Sequence, residues 1–287
     1  MNKILDGKKL SLILQEDLKE KINKLSNSPN LTVVMVGEDK ASKIYVKNKE
    51  KIAKKIGIDT DTIHLNSETT TDELLSIIEK LNKDKSVNGI LVQLPLPKHI
   101  DENLVLEKIS PLKDVDGFHP QNLGNLMIND TSMIPCTPLG IIELLDFYNI
   151  DLEGKNVVVL GRSNIVGKPM LHLLLQKNAT VTITHSYTKN LKDITKKADV
   201  LIVAIGKSNF ITKEYIKDNA IIVDVGINRV DNKIIGDVDF NSVKDKVSFI
   251  TPVPGGVGPL TITMLMNQTY TAYLNQNEEK DNDKYSI

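Results

Sequence analysis

Apolar residues recur at three- and four-residue spacing from Asp6 to about Leu25, which predicts an amphipathic helix. The run Leu31–Val36 (LTVVMV) is continuously apolar and predicts a buried strand closed by Gly37. Helical spacing returns from Ser42 to Ile56 and stops at Gly57, a natural helix terminator. A short strand around Thr62–Leu65, a helix from Thr71 to Asn82 and a buried strand Gly89–Leu94 (GILVQL) follow, the last closed by Pro95 and Pro97. Strands separated by helices predict a mostly parallel sheet covered on both faces. From Pro111 to Gly124 the chain is rich in Pro, Gly and Asp, and a long loop is expected there.

The alternation then restarts. Strands are expected at Asn156–Leu160, Thr180–Thr184, Val200–Ala204 and Ile221–Val225, with helical segments between them, one beginning near Gly167. Such a βαβ succession with right-handed crossovers builds a doubly wound sheet. The domains are expected to exchange across a helical stretch, Pro138–Ile150. A last helix near Thr261–Tyr273 would return to the first domain, and the polar tail NQNEEKDNDKYSI is expected to fray. The fold class is therefore α/β with two domains.

Composition narrows the function. The 287 residues suffice for two modest cores, and a formal net charge of −1 argues against a nucleic-acid binder or a polybasic membrane-surface protein. No apolar run approaches the roughly 18–20 residues of a membrane span, and MNKILDGKKLSLILQ does not read as a signal peptide. A single cysteine, Cys136, fits a reducing compartment, so a cytoplasmic location is expected. The five histidines form no metal-binding pattern, and no metal is expected.

The turn VVVLGRSNIVGKP follows a buried strand and opens a helix, where a pyrophosphate would meet free N–H groups and the positive helix end. Gly161 would make the sharp turn and Gly167 would let the helix pack close. The spacing is not GxGxxG, and an ordinary βα turn remains the alternative. The next strand ends His185-Ser186-Tyr187-Thr188, without the carboxylate that receives the ribose 2′-hydroxyl of NAD. Ser186 can donate to a 2′-phosphate and Arg162 can pair with it, which favours NADP, although Ser186 could also serve only its own loop. Gly226-Ile227 would reach the same sheet edge. In the first half, Tyr45 and Lys49 share a helix face, as a phenol–amine acid–base pair or simply as solvated side chains. Gln93 lies in an otherwise apolar strand, so its amide needs a structural partner or faces a site. Asp114 and Asp116 suit a turn. The run PVPGGVGPLT could be a ligand-facing loop or a hinge.

In this order, SKIYVKNK, GILVQLPLP, PLKDVDGFHPQNLG, PCTPLG, GRSNIVGKP, THSYT and TPVPGGVGPLT resemble the bifunctional methylenetetrahydrofolate dehydrogenase/methenyltetrahydrofolate cyclohydrolase family, from about Gly37 to Thr269. Ala53 and Thr184 stand where cysteine is common there, and Gln268 where asparagine is usual. The resemblance implies an N-terminal three-layer α/β catalytic domain, a Rossmann-like NADP-binding domain, a cleft between them and a homodimer. The corresponding division is 1–140 for the catalytic part, joined by a helix at about 261–280, and 141–260 for the cofactor part. It implies NADP-dependent oxidation of 5,10-methylenetetrahydrofolate and hydrolysis of the product to 10-formyltetrahydrofolate, within one-carbon metabolism. Lys49 would be the central acid–base residue, Tyr45 would position the folate's aminobenzoyl part, Gln93 would tune Lys49 and Asp116 would anchor the pterin. Val92, Leu94 and Pro254, Gly255, Gly256, Val257 and Gly258 would line the folate site. Gly161, Arg162, Ser163, Ser186 and Ile227 would contact NADP. No synthetase domain of the kind fused in some relatives is expected within these 287 residues. Rival readings are a dehydrogenase without cyclohydrolase activity, a shikimate-type dehydrogenase and a folate-binding scaffold without turnover.

Overall fold

The structure is a computed structural model that describes residues 3–130, 133–231 and 233–283. The chain opens with a two-residue strand β1 (Lys3–Ile4) and helix α1 (Gly7–Ile22). Strand β2 (Asn30–Val36) leads to α2 (Lys40–Ile56), which starts on the Asp39 carboxylate and stops at Gly57 with φ +88°. There follow β3 (Asp59–Leu65), α3 (Thr71–Lys83), β4 (Gly89–Val92), α4 (Glu102–Lys108), α5 (Pro120–Met127) and α6 (Cys136–Phe147). The second half runs β5 (Asn156–Leu160), α7 (Gly167–Gln176), β6 (Thr180–Thr184), α8 (Leu191–Thr195), β7 (Val200–Val203) and β8 (Ile221–Asp224). It ends with the hairpin β9 (Asn228–Val230) and β10 (Lys233–Ile235), then α9 (Phe240–Val243), β11 (Phe249–Ile250) and α10 (Val257–Asp283).

Two compact units emerge, one of Leu14–Cys136 and Ile262–Ile287, the other of Met1–Ile13 and Thr137–Thr261. In the first, β3-β2-β4 form a parallel sheet in which Asn30 to Val36 pair with Asp59 to Leu65. Val34, Val36, Ile90 and Val92 bury one face against Leu74 and Ile78 of α3 and Val105 of α4. Their alternating neighbours Leu31, Val33 and Met35 are buried too, so β2 is covered on both faces. In the second unit six parallel strands lie in the order β1-β11-β8-β7-β5-β6. From β5 the chain moves outward to β6 and then returns to β7 on the other side. The order therefore reverses between β5 and β7, and the crevice beyond their C-terminal ends is where an open α/β sheet receives a ligand. Fully apolar strands such as Val200–Val203 are what a sheet buried on both faces requires.

Several elements differ from the sequence expectations. β3 begins at Asp59 rather than Thr62, because its partly exposed edge position admits the polar Asp59, Thr60 and Asp61 that hide a strand signal. The expected loop Pro111–Gly124 ends early: Pro120 starts α5 as a first-turn proline, and the His119 ring accepts the Gln121 N–H. α4, capped by Asp101, and the β9–β10 hairpin carry too few residues for periodicity to reveal them. The expected division places the N-terminus within 1–140; β1 pairs in parallel with β11, and residues up to Ile13 group with the six-stranded sheet. α10 continues through Asp283, into the tail expected to fray; 284–287 lie outside the described residues.

α3 begins with a reciprocal cap, in which Thr70 Oγ1 accepts the Glu73 N–H at 3.3 Å and Glu73 Oε2 accepts the Thr70 N–H at 2.8 Å. Thr70→Ala is expected to lower stability by about 1 kcal/mol, read as a shifted midpoint in urea unfolding followed by circular dichroism.

Candidate active site

The first unit gathers its reactive side chains from three places. Lys49 and Tyr45 lie one turn apart on α2, both half-buried; Val92 ends β4, and Gln93 and Leu94 follow it. Asp116 comes from the segment between α4 and α5. Lys49 Nζ donates to Gln93 Oε1 at 3.0 Å, and Gln93 is held in place by its own N–H, which donates to the Val34 carbonyl at 2.8 Å. The amide that closes the apolar run, just past the end of β4, therefore faces the lysine.

Asp116 is placed by its neighbour. Asp114 is buried, and its carboxylate accepts the N–H groups of Gly117 and His119 at 3.1 and 2.7 Å and the Asn122 amide at 2.9 Å. The segment is also stitched to β4, since the Ile90 N–H donates to the Lys113 carbonyl at 2.8 Å. Gly117 sits at φ +77°, and a Cβ there would lie 2.5 Å from the Ile134 backbone, so no side chain fits. Of the two aspartates in KDVDG, the first holds the loop and the second takes none of these hydrogen bonds. Local sequence pattern read both as turn residues, and only the family resemblance singled out Asp116.

Sequence reasoning also missed Cys136 as a neighbour of the site. Its thiol donates to the Val115 carbonyl at 3.2 Å and is close enough to Asp116 to interact with its carboxyl electrostatically. Burial pushes the thiol well above its ordinary range, and the Asp116 charge adds to this, so the group is a neutral thiol. Lys49 is half-buried as a residue, and its amine is enclosed. That burial lowers its pKa, against the opposing pull of Asp116 and then Cys136. Burial raises Asp116 to about 6, with Lys49 lowering it and Asp114 raising it.

In the second unit, Gly161, Arg162 and Ser163 follow β5, Ser186 follows β6 and Ile227 follows β8. Gly161 has φ +128°, and a Cβ would lie 2.2 Å from the Ala204 carbonyl oxygen; at Gly167 a Cβ would lie 2.2 Å from the Gly161 oxygen. These two positions leave a main-chain cradle at the N-terminus of α7, which suits a pyrophosphate. In the turn ahead of α7, Ser163 Oγ accepts the Val166 and Gly167 N–H groups at 3.2 and 3.4 Å. Accepting both leaves its own hydrogen free to donate to an anion. Leu160 pairs with Thr184, so Arg162 and Ser186 leave adjacent strands; both are exposed, and the Arg162 guanidinium lies 5.6 Å from the Tyr187 ring centre. This donor set fits a phosphate-bearing dinucleotide.

Pro254–Gly258 group with this second unit rather than with Lys49. Their glycines have a packing reason. Gly255, at φ +110°, accepts the Lys8 N–H at 2.9 Å, and a Cβ on Gly7 would lie 1.9 Å from the Gly256 oxygen. Val257 and Gly258 begin α10, and a Cβ on Gly258 would lie 3.7 Å from Ile227 Cδ1. Among the described residues no cluster of three or more His, Cys, Asp or Glu side chains could hold a metal ion, and no helix is long and apolar enough to cross a membrane.

The raised Asp116 pKa has a signed consequence. Between the ordinary value of 3.8 and about 6 the folded state binds more protons than the unfolded one, so this group's contribution falls as pH rises through that window. The stability difference between Asp116→Asn and the parent is expected to move in favour of the variant from about pH 4 to about pH 6 and to level off above, in urea titrations across pH.

Two family models match the chain: the catalytic domain of tetrahydrofolate dehydrogenase/cyclohydrolase over residues 5–116, and its NAD(P)-binding domain over residues 135–277. A bifunctional FolD protein of Streptococcus thermophilus is 57% identical over 276 residues, covering 94% of this chain and 97% of the relative. The crystal structure of the bifunctional FolD enzyme from Campylobacter jejuni superposes with a TM-score of 0.95 at 50% identity, covering 96% of this chain and 100% of that one. The Trypanosoma brucei methylenetetrahydrofolate dehydrogenase-cyclohydrolase, solved with NADP cofactor and an inhibitor, superposes with a TM-score of 0.93 at 34% identity, covering 96% and 98%. The chain belongs to the tetrahydrofolate dehydrogenase/cyclohydrolase family.

Proposed function

We propose that this chain oxidises 5,10-methylenetetrahydrofolate to the 5,10-methenyl cation with NADP+, then hydrolyses that cation to 10-formyltetrahydrofolate. The observation that carries this reading is the enclosed Lys49 amine, fixed on Gln93 and coupled to Asp116, in the part matched by the family's catalytic-domain model. When bound, NADP+ supplies the hydride acceptor.

The chain's own residues bind, orient and move protons. Asp116 receives the pterin ring N–H and exocyclic amine, two donors against two carboxylate oxygens. Tyr45, Val92, Leu94 and the Pro254–Gly258 segment contact the rest of the folate. The oxidation needs no protein base, because nitrogen lone pairs stabilise the cation that forms. Hydrolysis does need proton transfer. Neutral Lys49 takes a proton from water as the water oxygen bonds to the methenyl carbon. It returns that proton to the ring nitrogen as the carbon–nitrogen bond breaks, and the remaining hydroxyl proton leaves as the formyl group forms. Gln93 holds the amine through its carbonyl oxygen, leaving the amine lone pair available.

Gly161, Arg162, Ser163, Ser186 and Ile227 serve NADP, with Arg162 and Ser186 on the 2′-phosphate. The absence of a carboxylate in His185–Thr188 and the NADP complex of the Trypanosoma brucei relative support NADP over NAD. A homodimer and a cytoplasmic location complete the reading.

Turnover of 5,10-methylenetetrahydrofolate, followed by absorbance of reduced cofactor and of methenyl intermediate separately, tests both steps. NADP+ reduction with only transient methenyl signal is expected; methenyl accumulation decaying at the uncatalysed rate would leave a dehydrogenase alone. In the same assay Lys49→Met is expected to slow hydrolysis about 100-fold or more, at least as severely as hydride transfer, and full cyclohydrolase activity in that variant would remove Lys49 from its role. Arg162→Ala is expected to raise KM for NADP+ by about tenfold while leaving KM for NAD+ nearly unchanged.

A further inference from the structure

The chemistry above leaves unused two buried aspartates in the second unit. Asp237 is fully buried, and its carboxylate accepts four hydrogen bonds. The Ile205 and Gly206 N–H groups donate to Oδ2 at 2.7 and 2.9 Å, and the Lys207 N–H and Asn228 Nδ2 donate to Oδ1 at 2.8 and 2.9 Å. Asp224 braces it from behind, accepting the Asp237, Val238 and Gly226 N–H groups at 2.9 Å each. The space is closed to side chains: a Cβ on Gly226 would lie 2.3 Å from Asp237 Oδ1, and one on Gly236 would lie 1.9 Å from Asp224 Oδ2.

The four donors come from two places, both at the C-terminal edge of the six-stranded sheet. Ile205–Lys207 follow β7, which adjoins β5 where the strand order reverses. The residue before them, Ala204, carries the carbonyl that presses on the Gly161 turn. Asn228 directly follows Ile227 after β8. One carboxylate therefore ties the loop lying against the glycine turn to the segment that presents Ile227.

We propose that Asp237 is the positioning residue of the dinucleotide site, fixing Ile205–Lys207 and Ile227–Asn228 as one wall against which the cofactor binds. The role rests on the NADP reading above. Only an ionised carboxylate meets the demand, since it offers acceptors on both oxygens and no donor. An asparagine of the same shape turns an NH2 toward N–H groups that already donate, and the wall loses its anchor.

The test is Asp237→Asn in the full chain, with NADP+ binding measured by calorimetry, KM for NADP+ and for methylenetetrahydrofolate measured separately, and folding followed by circular dichroism. Kd and KM for NADP+ are expected to rise about tenfold while KM for the folate stays within about twofold, because a displaced wall weakens cofactor binding selectively. NADP+ affinity within about twofold of the parent, even with a lowered Tm, would overturn the proposal and leave Asp237 a brace of the fold. Should Asp237→Asn fail to fold, Asn228→Ala decides, since it removes one donor and keeps the carboxylate: a rise of about threefold or more in Kd supports the role, and an unchanged Kd overturns it. A parent chain that binds no NADP+ would overturn the cofactor reading itself and this role with it. A parent that binds NADP+ without turnover would overturn the proposed reaction, and the variant's Kd would still decide the role of Asp237.

Discussion

Each unit relies on a buried carboxylate that collects N–H groups of its own loops. Desolvating a carboxylate is costly, and the cost is tolerable only when several donors meet it. Asp114 and Asp237 each satisfy that condition with main-chain donors and one asparagine side chain, Asn122 in the first case and Asn228 in the second. The consequence is geometric. A carboxylate that must find its donors fixes the path of the chain that supplies them. The segments fixed in this way carry Asp116 in one unit and adjoin Gly161 and Ile227 in the other. For Asp114 burial outweighs these donors, and its pKa stays raised.

Much of the fold was legible because the second half of the chain is locally consistent. Strands such as Val200–Val203, and Val157–Leu160 within β5, are apolar throughout, and glycines such as Gly154, Gly161 and Gly206 stand where turns bend. Legibility failed where tertiary contacts decide. β1 is two residues long and exists only because β11 offers it an edge. β3 reads as polar because it lies at the edge of its sheet. That residues up to Ile13 group with the later sheet is a fact no local pattern records.

The candidate site was legible in a different sense. Residue types at helical spacing brought out Tyr45 and Lys49, and an amide among aliphatics brought out Gln93. What the sequence could not supply was the partnership between them. Lys49 and Gln93 are separated by forty-four positions and meet at 3.0 Å. Cys136 is likewise remote from Asp116, and only the fold sets its thiol beside that carboxyl. The PVPGGVGPLT run was open to two readings. The structure adds a third contribution to it, since Gly255 and Gly256 pack against Gly7 and Lys8 of the chain's own N-terminus.

The charges around Lys49 explain how one lysine can serve a cationic substrate. Lys49 and Asp116 stabilise each other's ionised forms, while burial opposes both. Such a pair titrates as a unit, and the state of each proton depends on the other. Before substrate arrives, the Lys49 ammonium is the natural counter-charge for an ionised Asp116. Under the proposed chemistry the methenyl intermediate brings a positive charge of its own into the same enclosure, and pterin donors occupy the Asp116 oxygens. The carboxylate no longer needs the ammonium, and two cations in one desolvated space repel. Both effects push Lys49 toward its neutral form when a base is required. The buried thiol of Cys136 fits this balance, because a neutral group beside Asp116 adds no further charge to be compensated. A permanently charged residue at position 49 would keep the enclosure neutral in the free enzyme and then oppose the cation it must process. A titratable amine, lowered by burial and held on an uncharged amide, satisfies both states with the same atoms.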